Sequence, residues 1–378
     1  MSDEGTETYV IGTDEAGYGP NLGPLTIAAT VWKIDGPLKP RTKDDPFRRF
    51  ARKATDAPDD RPLIDDSKAI YGRGGLGALE RATLAMLSPV ARSQPVSPAT
   101  PVLAGLAPSP AESFVPVGLA GLSSPDQESF GTSVAVAEAP GLSLREFWRS
   151  IVCHGDAGAW EELFWLREFA DALPLAPPED RDEDSDATGV GKKRRRKPVA
   201  PAVTFQFARA AAVFPESFNR GVAEAGNKAS LLTRTTLALV AEIVAELPTG
   251  ACVFWSADRH GGRKWYRDPL QEAFPDSLVM TVDESPTLSR YRWFRDGAPV
   301  ECEFRVEGDS YVPTALASMS AKYLRELCMA AWNAHWLARR PDLRPTAGYP
   351  GDARRFFEEI RDLLLDAGVC ERTVWRGC

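Results

Sequence analysis

The sequence has little of what most metal-ligand and thiol chemistry uses. Its three histidines, His154, His260 and His335, have no spacing typical of a metal site. Its six cysteines are scattered and include no Cys-x-x-Cys pair, which favours reduced thiols in a cytosolic protein over a disulfide framework. These absences argue against a disulfide-rich secreted domain.

Long apolar runs are also lacking. No uncharged apolar run is long enough to cross a bilayer, and the acidic start MSDEGTETYV has no apolar secretion region. We therefore expect a cytoplasmic protein with no membrane partner. The net charge of −8 disfavours a protein that only coats nucleic acid, although an enzyme can combine an acidic metal site with a local basic surface. A monomer is expected.

What is present is an alternation of strand-like and helix-like segments around one interruption. The 378 residues, 43% of them apolar, suffice for one large domain with an insert or for two domains. The alternation predicts an α/β fold. We assign residues 8–89 and 200–330 to this core, beginning with a hairpin over 8–33, and residues 331–378 to a C-terminal helical region.

The interruption covers residues 90–199 and has three parts. It begins as a linker-like stretch rich in Pro, Ser, Ala and Gly. Residues 143–172 are aromatic with a helical period, which predicts two packed helices whose aromatic side chains belong to a core. Residues 179–198 form an acidic and then basic loop that is expected to be disordered. Its KKRRRK run at 192–197 either binds nucleic acid or is a solvated loop.

Carboxylates follow three of the predicted strands. Asp14 and Glu15 end the first strand, Asp258 follows VFWSA, and Asp309 follows FRVEG. Four carboxylates in one site repel one another unless some are protonated or divalent cations bind. Hard oxygen ligands suit Mg²⁺ or Mn²⁺, and a pair of such ions about 4 Å apart typically serves phosphoryl transfer.

Each acid also has a simpler interpretation. The Asp14–Glu15 pair could be a solvated turn, and Asp283 or Glu284, at the end of the next strand, could compete with Asp258. Asp309 could cap the helix that follows it. His260 could assist proton transfer beside Asp258, but a surface position is expected.

The motifs, taken in order, resemble those of ribonuclease HII. Over residues 8–89 and 200–360 they read GTDEAGYGPNLGPLTIAA, DDSK, VFPESFNRG, SADRHGG, EGDSYVPTALASMSAKYLRELCM and TAGYPGDARRF. The resemblance implies a ribonuclease H-like fold, a mixed sheet of about five strands with helices on both faces. It also implies a two-metal endonuclease dependent on Mg²⁺ or Mn²⁺. Such an enzyme cleaves the RNA strand of RNA–DNA hybrids, or ribonucleotides embedded in duplex DNA, and leaves 5′-phosphate and 3′-hydroxyl ends.

Site residues carried over by this resemblance fall into two groups. The metal-binding and catalytic carboxylates would be Asp14, Glu15, Asp258 and Asp309. The substrate-binding residues would be Gly17, Tyr18, Gly19, Lys68, Lys322 and Tyr349. In this scheme the glycine turn reads the ribose 2′-hydroxyl through its backbone, the two lysines neutralise phosphate, and the tyrosine at 349 contacts the sugar.

Two positions depart from the family pattern. Tyr18 stands where the family has Arg, and Glu307 stands where it has Lys before Gly308. Both changes remove a positive charge and are expected to weaken phosphate binding. They leave an alternative open: a catalytically idle or re-specialised protein of this fold that binds nucleic acid, or a nuclease of other specificity.

Overall fold

A computed structural model describes residues 7–36, 38–93, 142–159, 163, 165, 172–173 and 203–377. The strands in these residues are β1 Thr8–Ala16, β2 Leu25–Ile34, β3 Leu142–Ser143, β4 Val152–Gly155, β5 Ala172–Leu173, β6 Val203–Val213, β7 Cys252–Asp258, β8 Met280–Glu284, β9 Leu288–Arg295 and β10 Ala298–Arg305. The helices are α1 Phe47–Phe50, α2 Ser67–Ser93, α3 Leu144–Ile151, α4 Pro215–Ala225, α5 Lys228–Glu246, α6 Arg267–Ala273, α7 Val312–Arg339, α8 Pro350–Asp366 and α9 Glu371–Val374, with a 3₁₀-helix at Gly308–Ser310.

Eight of the strands form one mixed sheet in the order β4-β6-β2-β1-β7-β10-β9-β8. Strand β1 pairs antiparallel with β2 and parallel with β7, and β7 pairs parallel with β10. The predicted mixed α/β sheet is confirmed. It is wider than predicted because β4 adds an edge on one side and the β8–β9 hairpin extends the other.

The sheet separates two apolar cores. Along β1, Val10 packs into one core, whereas Tyr9 and Ile11 pack into the other, as the two-residue period of a strand requires. Helices α2, α7 and α8 cover the Val10 side, and α4, α5 and α6 cover the opposite side. The predicted placement of helices on both faces is therefore confirmed. In the described part of the chain, no helix combines the length and hydropathy needed to span a membrane.

Two boundaries predicted from the sequence are wrong. Residues 143–172 were expected to be helical, but after α3 the chain forms β4, which pairs with β6 through Val152 and Ala210. The pairing available at the open sheet edge overrides the local helical period. The C-terminal helical region was placed from residue 331, yet α7 runs unbroken through that point, burying Trp332 and Trp336 against the core.

The described part of residues 90–199 packs on the sheet-and-helix core. Phe147 meets Tyr323 with ring centroids 5.7 Å apart, and Trp165 meets Trp332 at 5.4 Å. The prediction that these aromatic side chains belong to a core is confirmed for Phe147 and Trp165, which are buried. Residues 90–93 were predicted to begin the linker-like stretch, but they form the end of α2. The rest of that stretch, up to residue 141, and the charged loop at 179–198 lie outside the described residues, so the division of the chain into core and insert stays a prediction.

Candidate active site

The candidate site lies where three neighbouring strands end. Strands β1 and β7 run parallel with Thr13 opposite Ala257, and β10 runs parallel to β7 with Arg305 opposite Asp258. Carboxyl ends of parallel strands share one edge of a sheet. This edge carries Asp14 near the end of β1, Asp258 as the last residue of β7, and Asp309 in the 3₁₀-helix after β10.

Strand geometry points Asp14 towards helix α7. It shares a face of β1 with Val10 and Gly12, whereas Glu15 lies on the opposite face. The Asp14 carboxylate accepts hydrogen bonds from the Ser318 hydroxyl on α7 and from the Glu15 backbone N–H, the latter at 2.8 Å.

Helix α2 is linked to the same point. The hydroxyls of Ser67, at the start of α2, and of Ser318 are 3.1 Å apart. Asp14 is therefore held by two helices as well as by its own strand. Sequence reasoning did not single out Ser318, although it stands in the EGDSYVPTALASMSAKYLRELCM motif.

Burial, with a smaller contribution from mutual repulsion, disfavours the charged forms of these acids. Burial raises the pKa of Asp14 to about 7, against the two hydrogen bonds it accepts, and the charges of Asp258 and Asp309 add to the rise. Burial likewise raises the pKa of Glu15 well above its ordinary value, with repulsion from Asp14 and Asp258. Without a cation, the cluster therefore does not carry all its negative charge at neutral pH.

Asp309 has a second set of charged neighbours. Its pKa is raised by burial, then by the charges of Asp66, Asp258 and Glu307, whereas Lys68 opposes the rise. Lys68 is therefore close enough to Asp309 for its charge to act on that carboxylate, and its predicted contact with substrate phosphate stays a prediction. Asp66 is a further acid that sequence reasoning missed, although it stands in the DDSK motif.

Gly308 brings the Asp309 turn against β7. A Cβ atom at Gly308 would lie 2.7 Å from the Ala257 carbonyl oxygen and 2.8 Å from the Asp258 Cα. The Gly308 N–H also donates to Asp258 Oδ1 at 3.0 Å. Only glycine allows this approach, so the position ahead of Asp309 is fixed by sterics.

The simpler interpretations of Asp258 and Asp309 find no support in this geometry. Helix α7 has Tyr311 as its N-cap residue and no side-chain cap, so Asp309 does not cap it. Asp283 and Glu284 lie on the exposed strand β8, where Glu284 accepts a hydrogen bond from the Tyr291 hydroxyl at 2.5 Å. The charges of Asp258 and Asp309, by contrast, contribute to the raised pKa of Asp14.

The glycine turn after β1 is held by two arginines that sequence reasoning missed. Gly17 has φ = 82°, and a Cβ there would lie 2.5 Å from the Pro24 carbonyl oxygen and 2.7 Å from the Arg325 side chain. Arg376 donates to the Gly17 carbonyl at 2.6 Å. Gly19 is different: it is exposed and a Cβ there would meet nothing within 4 Å.

A positive charge lies beside the glycine turn although Tyr18 itself is uncharged. The Lys228 ammonium, at the start of α5, lies 4.9 Å from the centroid of the Tyr18 ring. The Tyr18 hydroxyl approaches Gly261, where a Cβ would come within 2.4 Å of it. The sequence could not reveal Lys228 as a neighbour because it lies 210 positions after Tyr18 in the chain.

The two remaining predicted substrate residues sit around the same edge. Lys322 lies one helical turn after Ser318, pairs with Glu326 at 3.2 Å and lies 4.3 Å from the centroid of the Tyr71 ring. Tyr349 is 56% exposed in the loop that docks on the glycine turn, where the Gly348 carbonyl accepts from the Asn21 N–H at 2.8 Å. Their contacts with substrate stay predictions.

The surface position expected for His260 is wrong. Its ring is 2% exposed, packs against Tyr266 and Phe304, and has Nδ1 3.2 Å from the Thr233 hydroxyl. Burial, with the Arg263 charge, lowers its pKa to about 3, so it is neutral at physiological pH. A neutral buried ring of this kind is a core residue.

The cluster suits a divalent cation by chemistry. Its donors are all hard carboxylate oxygens. Burial and the neighbouring negative charges raise the pKa values of Asp14, Glu15 and Asp309, and a bound cation would favour their charged forms. Among the residues described, no group of three or more His, Cys, Asp and Glu side chains is already arranged to hold a metal ion. The donor set therefore fits Mg²⁺ or Mn²⁺, and binding would require these side chains to adjust.

Solved structures similar to this chain are ribonucleases H. The ribonuclease HII in a PCNA complex from Archaeoglobus fulgidus is 14% identical with a TM-score of 0.33, covering 97% of this chain and 93% of that one. Ribonuclease H2 from Pyrococcus horikoshii OT3 is 14% identical with a TM-score of 0.31, covering 97% and 92%. A Q54A mutant of Bst-RNase HIII is 17% identical with a TM-score of 0.32, covering 94% and 64%.

The chain is thus similar to ribonuclease HII and HIII structures, the first being the family that its motifs resemble. No protein-family model and no curated protein matches it.

Proposed function

We propose that this protein is a divalent-metal-dependent endonuclease of the ribonuclease H type. It would cleave the RNA strand of RNA–DNA hybrids, or ribonucleotides embedded in duplex DNA, and leave 5′-phosphate and 3′-hydroxyl ends. The observation that carries the proposal is the meeting of Asp14, Glu15, Asp258 and Asp309, from three separate segments, at one edge of the sheet. The motif resemblance to ribonuclease HII supplies the substrate class.

The four carboxylates would hold Mg²⁺ or Mn²⁺. When bound, such ions supply an activated water and stabilise the charge of the leaving oxygen. The chain's own part is to hold the carboxylates in place: Ser318 orients Asp14, and the Gly308 N–H orients Asp258. Fixed groups of this kind act by position and charge and need no reorganisation during the reaction.

Substrate binding would use the glycine turn and the cations around it. The turn is locked by Arg325 and Arg376, so its backbone is rigid where a ribose would approach. Lys68 lies beside the acids, and Lys228 stands over Tyr18. Lys228 would then supply a phosphate contact from the position where the family has an arginine in the turn.

Replacing Lys228 tests this assignment. Lys228→Ala should weaken binding of an RNA–DNA hybrid by about tenfold at low salt and reduce the salt slope of the binding constant by about one. Arg234→Ala is a matched control, because it removes the same charge from an exposed position on the same helix. Fluorescence anisotropy titrations at several salt concentrations measure both, and equal losses in the two variants would contradict a specific contact.

One assay separates the candidate activities. The protein is incubated with an RNA–DNA hybrid, a DNA duplex carrying a single ribonucleotide, an all-DNA duplex and an RNA duplex, each with Mg²⁺, Mn²⁺ or chelator, and the ends are mapped. Metal-dependent cuts restricted to ribonucleotide-containing strands, with 5′-phosphate ends, would support the proposal. Cuts in all-DNA or RNA duplex would indicate another specificity, and binding without cleavage an idle descendant.

A further inference from the structure

A buried glutamate with three arginine neighbours lies next to the candidate site. Glu303, on β10, is 1% exposed and lies within salt-bridge distance of Arg41 at 2.8 Å, Arg290 at 3.3 Å and Arg305 at 3.6 Å. Burial would raise its pKa, but the three guanidinium groups hold it below the ordinary value. One arginine would suffice to pair the charge, and the three arginines differ in their other contacts.

Arg41 differs from the other two because it also contacts the turn that carries Asp309. Its Nη2 donates to the Gly308 carbonyl at 3.1 Å and its Nη1 to the Ser310 hydroxyl at 3.0 Å. Its Nη2 also donates to the Ser256 hydroxyl at 3.2 Å, and its guanidinium lies 4.9 Å from the Tyr311 ring centroid. All three guanidinium nitrogens are thus engaged on β7, β10 and the 3₁₀-helix.

The Gly308 peptide is consequently held from both sides. Its N–H donates to Asp258, and its carbonyl accepts from Arg41. The residue before it, Glu307, has φ = 58°, a left-handed conformation that costs a non-glycine residue free energy and persists only where surroundings impose it. The turn therefore depends on external contacts, and Arg41 supplies the largest set of them.

We infer that Arg41 is a positioning residue that fixes Asp309 at the candidate metal site. The expected effect on metal binding rests on the proposed function, whereas the positioning of the turn by Arg41 does not. Arg41 lies in the loop between β2 and α1, far from Asp309 in sequence, and lines a cavity of about 610 Å³ whose wall also includes Asp309. Its planar fork is what allows one side chain to reach a carboxylate, a carbonyl and a hydroxyl together.

Two variants separate positioning from charge neutralisation. Arg41→Ala removes both the Glu303 pair and the contacts to Gly308 and Ser310. Arg290→Ala also removes a Glu303 partner, but within the described residues the Arg290 side chain makes no hydrogen bond or ion pair with that turn. Arg41→Ala, Glu303→Gln removes the partner charge as well, so it keeps the test valid if the single variant folds poorly.

The first measurement needs no metal. In the full chain, backbone amides over residues 307–311 should exchange hydrogen faster in Arg41→Ala and in the double variant, and at the wild-type rate in Arg290→Ala. Unchanged exchange in both Arg41 variants would overturn the inference. Equal acceleration in Arg290→Ala would also overturn it, because the effect would then come from Glu303.

The second measurement is Mn²⁺ binding by calorimetry. We expect Arg41→Ala and the double variant to bind Mn²⁺ at least about tenfold more weakly than wild type, as is usual when a group that orients a ligand is lost, and Arg290→Ala to bind within about twofold. Wild-type affinity in both Arg41 variants would overturn the inference. If wild-type protein binds no Mn²⁺ while exchange changes as expected, the proposed metal site fails and the positioning of the turn stands.

Discussion

Asp14→Asn is expected to abolish cleavage while leaving the protein folded. The change removes one ligand charge and keeps the shape of the side chain, including an oxygen that can accept the Glu15 N–H. We expect turnover of a ribonucleotide-containing duplex to fall by at least about 10³-fold, the size of loss typical of removing one group that stabilises developing charge. Steady-state cleavage with Mg²⁺ measures it.

The same variant should be more stable than wild type when no metal is present. The folded-state pKa of Asp14 is about 7 against an ordinary 3.8, so the folded protein binds the proton more tightly than the unfolded chain. The stability that this proton contributes is fully present below about pH 4, is lost as the pH rises to about 7, and is absent above that. In chelator, the melting temperature of Asp14→Asn should exceed that of wild type at pH 8, and the gap should shrink towards pH 4.

Asp283→Asn is the matched control. Asp283 stands at the end of a strand, as Asp14 does, but it is exposed on β8. The Asp283→Asn variant should cleave substrate at the wild-type rate and have the wild-type melting temperature. Near-wild-type turnover in Asp14→Asn, or a loss in Asp283→Asn instead, would show that the acids of this edge are not the catalytic ones.

The sequence was informative about the candidate site because its parts follow strand ends. An acid directly after a buried strand is placed by the strand, so the meeting of Asp14, Asp258 and Asp309 followed once the strands were predicted to lie in one sheet. Local sequence patterning gave the hairpin and the α/β class, which depend on residues close together in the chain. The mixed sheet and the helices on both faces came from the resemblance to ribonuclease HII.

What the sequence could not give depends on distant residues. Arg41 and Lys228 reach the site from segments with no motif, and their roles follow from contacts across the fold. Arg376 reaches Gly17 across 359 positions. Strand β4 was not predicted for the same reason, because its conformation depends on pairing with the distant strand β6. The sequence predicts the loss of a cation at Tyr18 and at Glu307. In the structure a cation from elsewhere in the chain lies near each position: Lys228 near Tyr18, and Arg41 near Glu307.

Gly12 is the residue whose replacement should cost the fold most. It lies on β1 where the strand crosses the first turn of α7, and a Cβ there would sit 2.1 Å from the Pro313 carbonyl carbon and 2.4 Å from the Thr314 nitrogen. These are backbone atoms and cannot swing aside. They are fixed in turn by Thr30, whose hydroxyl donates to the Pro313 carbonyl at 2.8 Å.

Gly12→Ala is therefore expected to destabilise the protein by about 3 kcal/mol, because α7 must move away from the sheet. The same movement would draw Ser318 away from Asp14, so cleavage should fall even in protein that remains folded.

Gly19→Ala is the control in the same hairpin: nothing lies within 4 Å of the added methyl, and stability should change by less than about 0.5 kcal/mol. Urea denaturation of both variants measures the difference. A Gly12→Ala protein as stable as wild type would mean that β1 and α7 are not in direct backbone contact, and the orientation of Asp14 by α7 would lose its basis.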